Sequence, residues 1–289
     1  MATGFADPDA LVSTAWLANR LGEASIVVID ITKYLPGEPK DGRVEFLACH
    51  IPGARYLDID EVADTGTALP HMLPSPAGFA AAMEDLGISN AHRVVFYDQK
   101  GMASAARGWW MMRVFGHDAA SVLDGGLPKW RAEARPVEAG EPPAPAPAVF
   151  APAFRPWLVA DRRAVLAAVG TGAARIVDAR PKARFDGTAP EPRPGLRGGH
   201  MPGAANLPHL ALLHADATFR SCDELATLLA AAGVDGTRPV IASCGSGVTA
   251  CAIAFAAHLV GLPDIAVYDG SWAEWGGRAD TPVETTTDA

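Results

Sequence analysis

Short apolar runs alternate along this chain with stretches whose apolar side chains recur at helical spacing. Ile26-Val27-Val28-Ile29-Asp30, Arg93-Val94-Val95-Phe96-Tyr97-Asp98, Arg175-Ile176-Val177-Asp178 and Val240-Ile241-Ala242-Ser243 carry no polar alternation. Runs of this kind predict parallel strands covered on both faces. Ser13 is placed to cap a helix running through Leu21, and Ser221 or Asp223 one running through Ala231. Strands alternating with helices predict an α/β doubly wound parallel sheet flanked by helices, whose ligands bind beyond the carboxyl ends of the strands.

The pattern occurs twice. Ile26–Asp30 matches Arg175–Asp178, His50-Ile51-Pro52-Gly53-Ala54 matches His200-Met201-Pro202-Gly203-Ala204, and Val122-Leu123-Asp124-Gly125-Gly126 with Trp130 matches Val267-Tyr268-Asp269-Gly270-Ser271 with Trp275. Between the copies the sequence turns to Pro and Ala, a composition that favours an extended, semi-rigid connection. The expected organisation is therefore an N-terminal domain over 1–135, a linker over 136–156 and a C-terminal domain over 157–289. Trp109-Trp110 and Met111-Met112, at helical spacing, are expected to pack on the sheet.

Composition narrows the function. The 289 residues carry a net charge of -9, which excludes a general nucleic-acid surface, so any anion site must be local. Four cysteines, irregularly spaced, make neither a disulfide scaffold nor a zinc ribbon, and no metal is expected. The N-terminal residues show no basic region leading into an apolar run, and the longest apolar run, Cys251 to Leu259, is far short of the ~20 residues a membrane span requires. A cytoplasmic protein without membrane association is expected.

The chemistry concentrates after Val240–Ser243, in Cys244-Gly245-Ser246-Gly247-Val248-Thr249-Ala250, followed by a helical stretch to about Val260. Two glycines let the backbone curl so that successive N–H groups face inward, an anion nest closed by a helix N-terminus. A cysteine at its mouth feels the positive helix end, which predicts a thiol pKa below the free value of ~8.5. Phosphatases built on such a cradle need an arginine six positions after the cysteine, where this chain has Ala250. That leaves sulfur transfer, with the nest holding a persulfide. An Arg-dense loop follows the equivalent strand, from Asp178-Ala179-Arg180 through Arg184 to Arg193, and suits a carboxylate that must be oriented.

On these residues the chain resembles the two-domain rhodanese-family sulfurtransferases from about Leu11 to Gly276, and its loop is similar to that of the 3-mercaptopyruvate sulfurtransferases. The thiosulfate-specific members usually carry basic residues where this chain has Gly245 and Ser246. The resemblance implies two tandem rhodanese-like domains and transfer of the sulfur of 3-mercaptopyruvate through a persulfide on Cys244, with release of pyruvate. It also implies that the backbone of Gly245, Ser246, Gly247, Val248 and Thr249 stabilises that persulfide, that Arg184 and Arg193 hold the substrate, and that no cofactor is used. Asp60, His71 and Ser246 are implied as a proton relay, which would make the site span both domains. The sulfur would pass to cyanide, a small thiol or a thioredoxin-like protein. Thiosulfate:cyanide sulfur transfer, and a persulfide-carrying module without turnover, are the other readings.

The first copy serves as an internal control. Asp98 stands in the place of Cys244 and is followed by Gln99-Lys100-Gly101-Met102, so this copy is expected to be inactive and to cover the cleft. His50 and His200, present in both copies, are expected to be structural, as are Arg180 and Arg197. Cys251, seven residues after Cys244, is expected two helical turns away in the core.

Overall fold

A computed structural model of the protein describes residues 4–286. The first copy contains β1 (Leu11–Val12), α1 (Thr14–Ala18), β2 (Ile26–Asp30), α2 (Gly42–Ala48), β3 (Arg55–Tyr56), α3 (Pro76–Asp85), β4 (Arg93–Tyr97), α4 (Ala105–Val114), β5 (Ala120–Leu123) and α5 (Gly126–Ala132). The second contains β6 (Val159–Ala160), α6 (Arg162–Thr171), β7 (Arg175–Asp178), α7 (Lys182–Phe185), β8 (Ala205–Asn206), α8 (Cys222–Ala231), β9 (Val240–Ser243), α9 (Ala250–Leu259), β10 (Ala266–Tyr268) and α10 (Ser271–Trp275).

Each copy is one five-stranded sheet, β1-β5-β4-β2-β3 in the first and β6-β10-β9-β7-β8 in the second, and all pairings are parallel. The order is the same in both. Registers such as Asp30↔Tyr97 and Asp178↔Ser243 bring the ends of the central strands level, so the loops after β4 and β9 leave the same edge of their sheets. The caps follow from side-chain chemistry: Ser13 accepts from the Trp16 N–H, and Ser221 forms a reciprocal capping box with Glu224. The first of these helices is shorter than its apolar pattern implied. It ends at Ala18, where the Asn19 N–H closes back on the carbonyls of Ala15 and Leu17.

The two copies share one core. Helices α4 and α9 lie against each other, with Trp109 edge-on to Phe255 at 4.8 Å between ring centres and Trp110 Nε1 donating to the Leu158 carbonyl at 3.2 Å. Helix α4, which carries the tryptophans expected to pack on the sheet, lies against β4 and β5, and its tryptophans also build the seam between the copies. An aromatic pair of this kind contributes about 0.5–1.5 kcal/mol beyond the area it buries. The Pro/Ala-rich segment is extended, as expected of its composition, but it does not hang free. It runs along the first copy, pairing Glu138 with His50, burying Phe150, and bonding Ala153 and Arg155 to the carbonyls of Phe115 and Val114.

Candidate active site

Cys244 follows β9 immediately, and its side chain is 1% exposed at the base of a cleft of about 270 Å³. Its own N–H is taken by Ser271 Oγ at 3.1 Å, and its carbonyl accepts from the Trp272 N–H at 3.0 Å, so α10 clamps the backbone at this point. The next five N–H groups, from Gly245 to Thr249, have no protein acceptor among the described residues. An unsatisfied row of amides beside a helix start is an anion cradle. Gly245, Ser246, Val248 and Thr249 line the cleft with Cys244. Gly247 does not. At φ +76 it turns beneath the loop, where a Cβ would meet the Asp269 carbonyl at 2.6 Å, so only glycine fits.

The arginine loop forms one wall. Arg180 is buried, paired with Asp178 and with Glu191 at 2.7 Å each, and stacked 4.1 Å over Trp272. Arg184 shares the same Glu191 through Nε at 3.1 Å, and its Nη2 lies 3.0 Å from where a Cβ on Gly245 would stand. Glu191, a buried carboxylate between two guanidiniums, aims both of them; nothing in the sequence singled it out. Arg197 bonds the carbonyls of Trp275, Gly276 and Thr281 and stays outside the cleft, in line with a structural role.

Arg193 reaches across to the first copy, where its Nη2 lies 2.9 Å from His71 Nε2. The other ring nitrogen of His71 pairs with Asp60. Burial pushes the imidazole pKa down, with Asp60 opposing and Arg193 and Arg107 assisting, so the neutral ring accepts from Arg193. His71 and Lys33 hold the Asp60 carboxyl well below the usual carboxylate range. The implied relay is therefore assembled only in part. Asp60 and His71 are in contact, but no hydrogen bond joins His71 to Ser246; the two ring nitrogens lie against Asp60 and Arg193.

The cleft spans both copies, and its far wall is Lys33, Tyr34, Leu35, Lys100, Gly101 and Ala103 of the first, facing His209 and Leu210 of the second. Of these, sequence reasoning named only Lys100 and Gly101, in the segment after Asp98 of the copy expected to cover the cleft; the others acquire a common purpose only when the copies close on each other. His50 and His200 sit alike in the two copies, stacked on Phe46 and Phe185 and bonded through Nδ1 to the carbonyls of the same residues. Cys251 lies closer to the loop than two helical turns would place it. Helix α9 begins only at Ala250, and the Cys251 thiol donates back to the Gly247 carbonyl at 3.2 Å. Burial pushes that thiol's pKa up strongly, so it remains a neutral donor.

At the matching station of the first copy, Asp98 fills its own cradle. Its carboxylate accepts from the N–H groups of Lys100 at 2.9 Å, Ser104 at 2.8 Å and Ala105 at 2.9 Å.

Comparison with known proteins places this geometry. The family described as the rhodanese-like domain matches residues 13–133 and 161–278. The 3-mercaptopyruvate sulfurtransferase of Escherichia coli is 42% identical over 274 residues, covering 94% of this chain and 97% of the relative. The thiosulfate sulfurtransferase of Bos taurus is 45% identical over 283 residues, covering 96% and 94%. Among solved structures, SseA from Escherichia coli, a 3-mercaptopyruvate sulfotransferase by its description, superposes with a TM-score of 0.82 at 38% identity, covering 91% of this chain and 98% of its own.

Proposed function

The chain belongs to the rhodanese family, and from that premise we propose that it moves the sulfur of 3-mercaptopyruvate to a thiophilic acceptor through a persulfide on Cys244. Arg184 and Arg193 hold the donor's carboxylate and keto oxygen. The Cys244 sulfur attacks the donor sulfur, a sulfur–sulfur bond forms, and the carbon–sulfur bond breaks with its electron pair passing to the pyruvate enolate. Protonation of the enolate carbon gives pyruvate. The terminal sulfur of the persulfide then rests against the amides from Gly245 to Thr249 until a cyanide ion, a small thiol or a thioredoxin-like protein takes it. His71, held by Asp60, serves first to orient Arg193. The cytoplasm, a reducing compartment, suits an enzyme whose four cysteines are all unpaired.

The observation that carries this reading is the pairing of a neutral loop with an arginine wall. Arg184 occupies the space beside Gly245, so positive charge reaches the donor from the side, where a carboxylate sits, and not from the loop itself. The identity to a thiosulfate sulfurtransferase makes thiosulfate the competing donor. Intact-mass measurement after addition of donor tests the first step: a gain of one sulfur that is absent in Cys244→Ser is expected, and no gain in the unmodified protein overturns the reading. A kcat/KM for thiosulfate equal to or above that for mercaptopyruvate would reassign the donor.

A further inference from the structure

Arg107 lies on α4 of the first copy, the copy whose own cradle is filled by Asp98, and does not line the cleft. It is fully buried in the apolar seam against α9. A guanidinium in such surroundings is costly unless it is paired and hydrogen-bonded; Arg107 is held through both terminal nitrogens, while its Nε has no partner. Its Nη1 donates to Asp269 Oδ1 at 2.7 Å and to the Gly247 carbonyl at 3.2 Å, and its Nη2 to the His71 carbonyl at 2.6 Å. Asp269 in turn accepts from the Leu73 N–H at 2.7 Å. One side chain thus ties the loop after β9, the segment after β10 and the His71 segment of the other copy.

We propose that Arg107 is a positioning residue for sulfur transfer, setting at once the peptide orientation of the Cys244 loop and the backbone of His71. The proposal rests on Cys244 as the sulfur-bearing residue. The C=O and N–H of one peptide unit point in opposite directions. Holding the Gly247 carbonyl inward therefore turns the Val248 N–H outward, to the side on which the persulfide forms. The Cys251 thiol, donating to the same carbonyl, adds a second anchor. The other arm acts on His71, whose φ of +61 is uncommon for a residue with a side chain and persists only when its surroundings hold it. Bonding its carbonyl keeps the backbone in the conformation from which the imidazole reaches Arg193.

The test is the single-turnover rate constant for sulfur gain on Cys244 in the full-length protein, followed by rapid quench and intact mass. Arg107→Lys keeps a charge for Asp269, but its donors leave from a single nitrogen, where Arg107 uses two to span the Asp269 and Gly247 oxygens and the His71 carbonyl. Its rate constant is expected to fall about tenfold or more, while donor KM moves less than about threefold. A strut that only holds the copies together would lower the melting temperature or the reactive fraction and leave the rate constant of the folded molecules alone. A rate constant within about twofold of the unmodified protein overturns the proposal. Should Arg107→Lys fail to fold, Asp269→Asn, which frees the guanidinium to rotate, is expected to lower the constant in the same sense, and an unchanged constant there overturns it as well. Absence of sulfur gain in the unmodified protein is a separate result that would remove the Cys244 reading and this proposal with it.

Discussion

Asp98 and Cys244 stand at the same station of two copies of one fold, and the carboxylate of Asp98 takes the amides of Lys100, Ser104 and Ala105, whereas the amides after Cys244 have no protein acceptor among the described residues. The first copy therefore shows what the cradle is shaped to hold, an anion, by carrying one covalently. Its contribution is stability. Asp98→Ala leaves two buried N–H groups and one partly buried one without an acceptor and is expected to cost about 1–3 kcal/mol in urea unfolding, given the penalty for unsatisfied buried donors. In D98C the loop still lacks the Gly-x-Gly turn, so intact mass after donor treatment should show one added sulfur, and two would overturn the view of this copy as inactive.

Gly245 gives Arg184 its place, since a Cβ there stands 3.0 Å from Nη2. Gly245→Arg brings a second guanidinium into that space and pushes Arg184 off the wall. The kcat/KM for mercaptopyruvate is expected to fall about tenfold or more, while that for thiosulfate, which has no carboxylate to orient, falls less. Equal losses for both donors would show that Arg184 does not discriminate between them.

Glu191 holds Arg180 and Arg184 together while itself 2% exposed. Removing one member of a buried ion pair leaves an uncompensated charge. Glu191→Ala should therefore lower stability by about 3 kcal/mol and raise donor KM in the same protein. Arg184→Ala, in which the lost side chain is partly exposed, should raise KM with a smaller loss of stability. Denaturant midpoints and steady-state kinetics on the two variants separate these effects.

The sequence carried the duplication, the strand runs and the cysteine loop plainly, because each is local: an apolar run, a Gly-x-Gly turn, a missing arginine at Ala250. The arginine-dense loop was legible as a place to orient a carboxylate, but the choice of Arg184 and Arg193 within it, and His71 altogether, came only through resemblance, and their cleft was not written in any one segment. Glu191 sits between prolines with no periodic signal. Arg107 stands in the mostly apolar helix α4, an irregularity that the sequence does show, but its partners Gly247 and Asp269 are 140 and 162 residues away in the chain. For the implied relay, sequence cannot help with the choice of which donor occupies one imidazole nitrogen, and here Arg193 takes Nε2 of His71.

That nitrogen makes the site sensitive to acid. Burial depresses the His71 pKa relative to the unfolded chain, so on acidification the unfolded chain takes up this proton before the folded one does. Stability from this group is thus fully present above the unfolded value of ~6.5 and is lost as pH falls through it toward the folded value. Asp60, also depressed, adds a second loss that begins only near the ordinary carboxylate range, at about pH 4. For turnover, protonating Nε2 removes the acceptor that orients Arg193 and sets two cations against each other. Donor KM is therefore expected to rise only at a pH below the ordinary imidazole value of ~6.5, with kcat less affected. His71→Gln cannot take up a proton, and its KM should be raised at neutral pH and nearly flat over the same interval. A His71→Gln profile that still climbs in acid would assign the titration to another group and separate His71 from the arginine it appears beside.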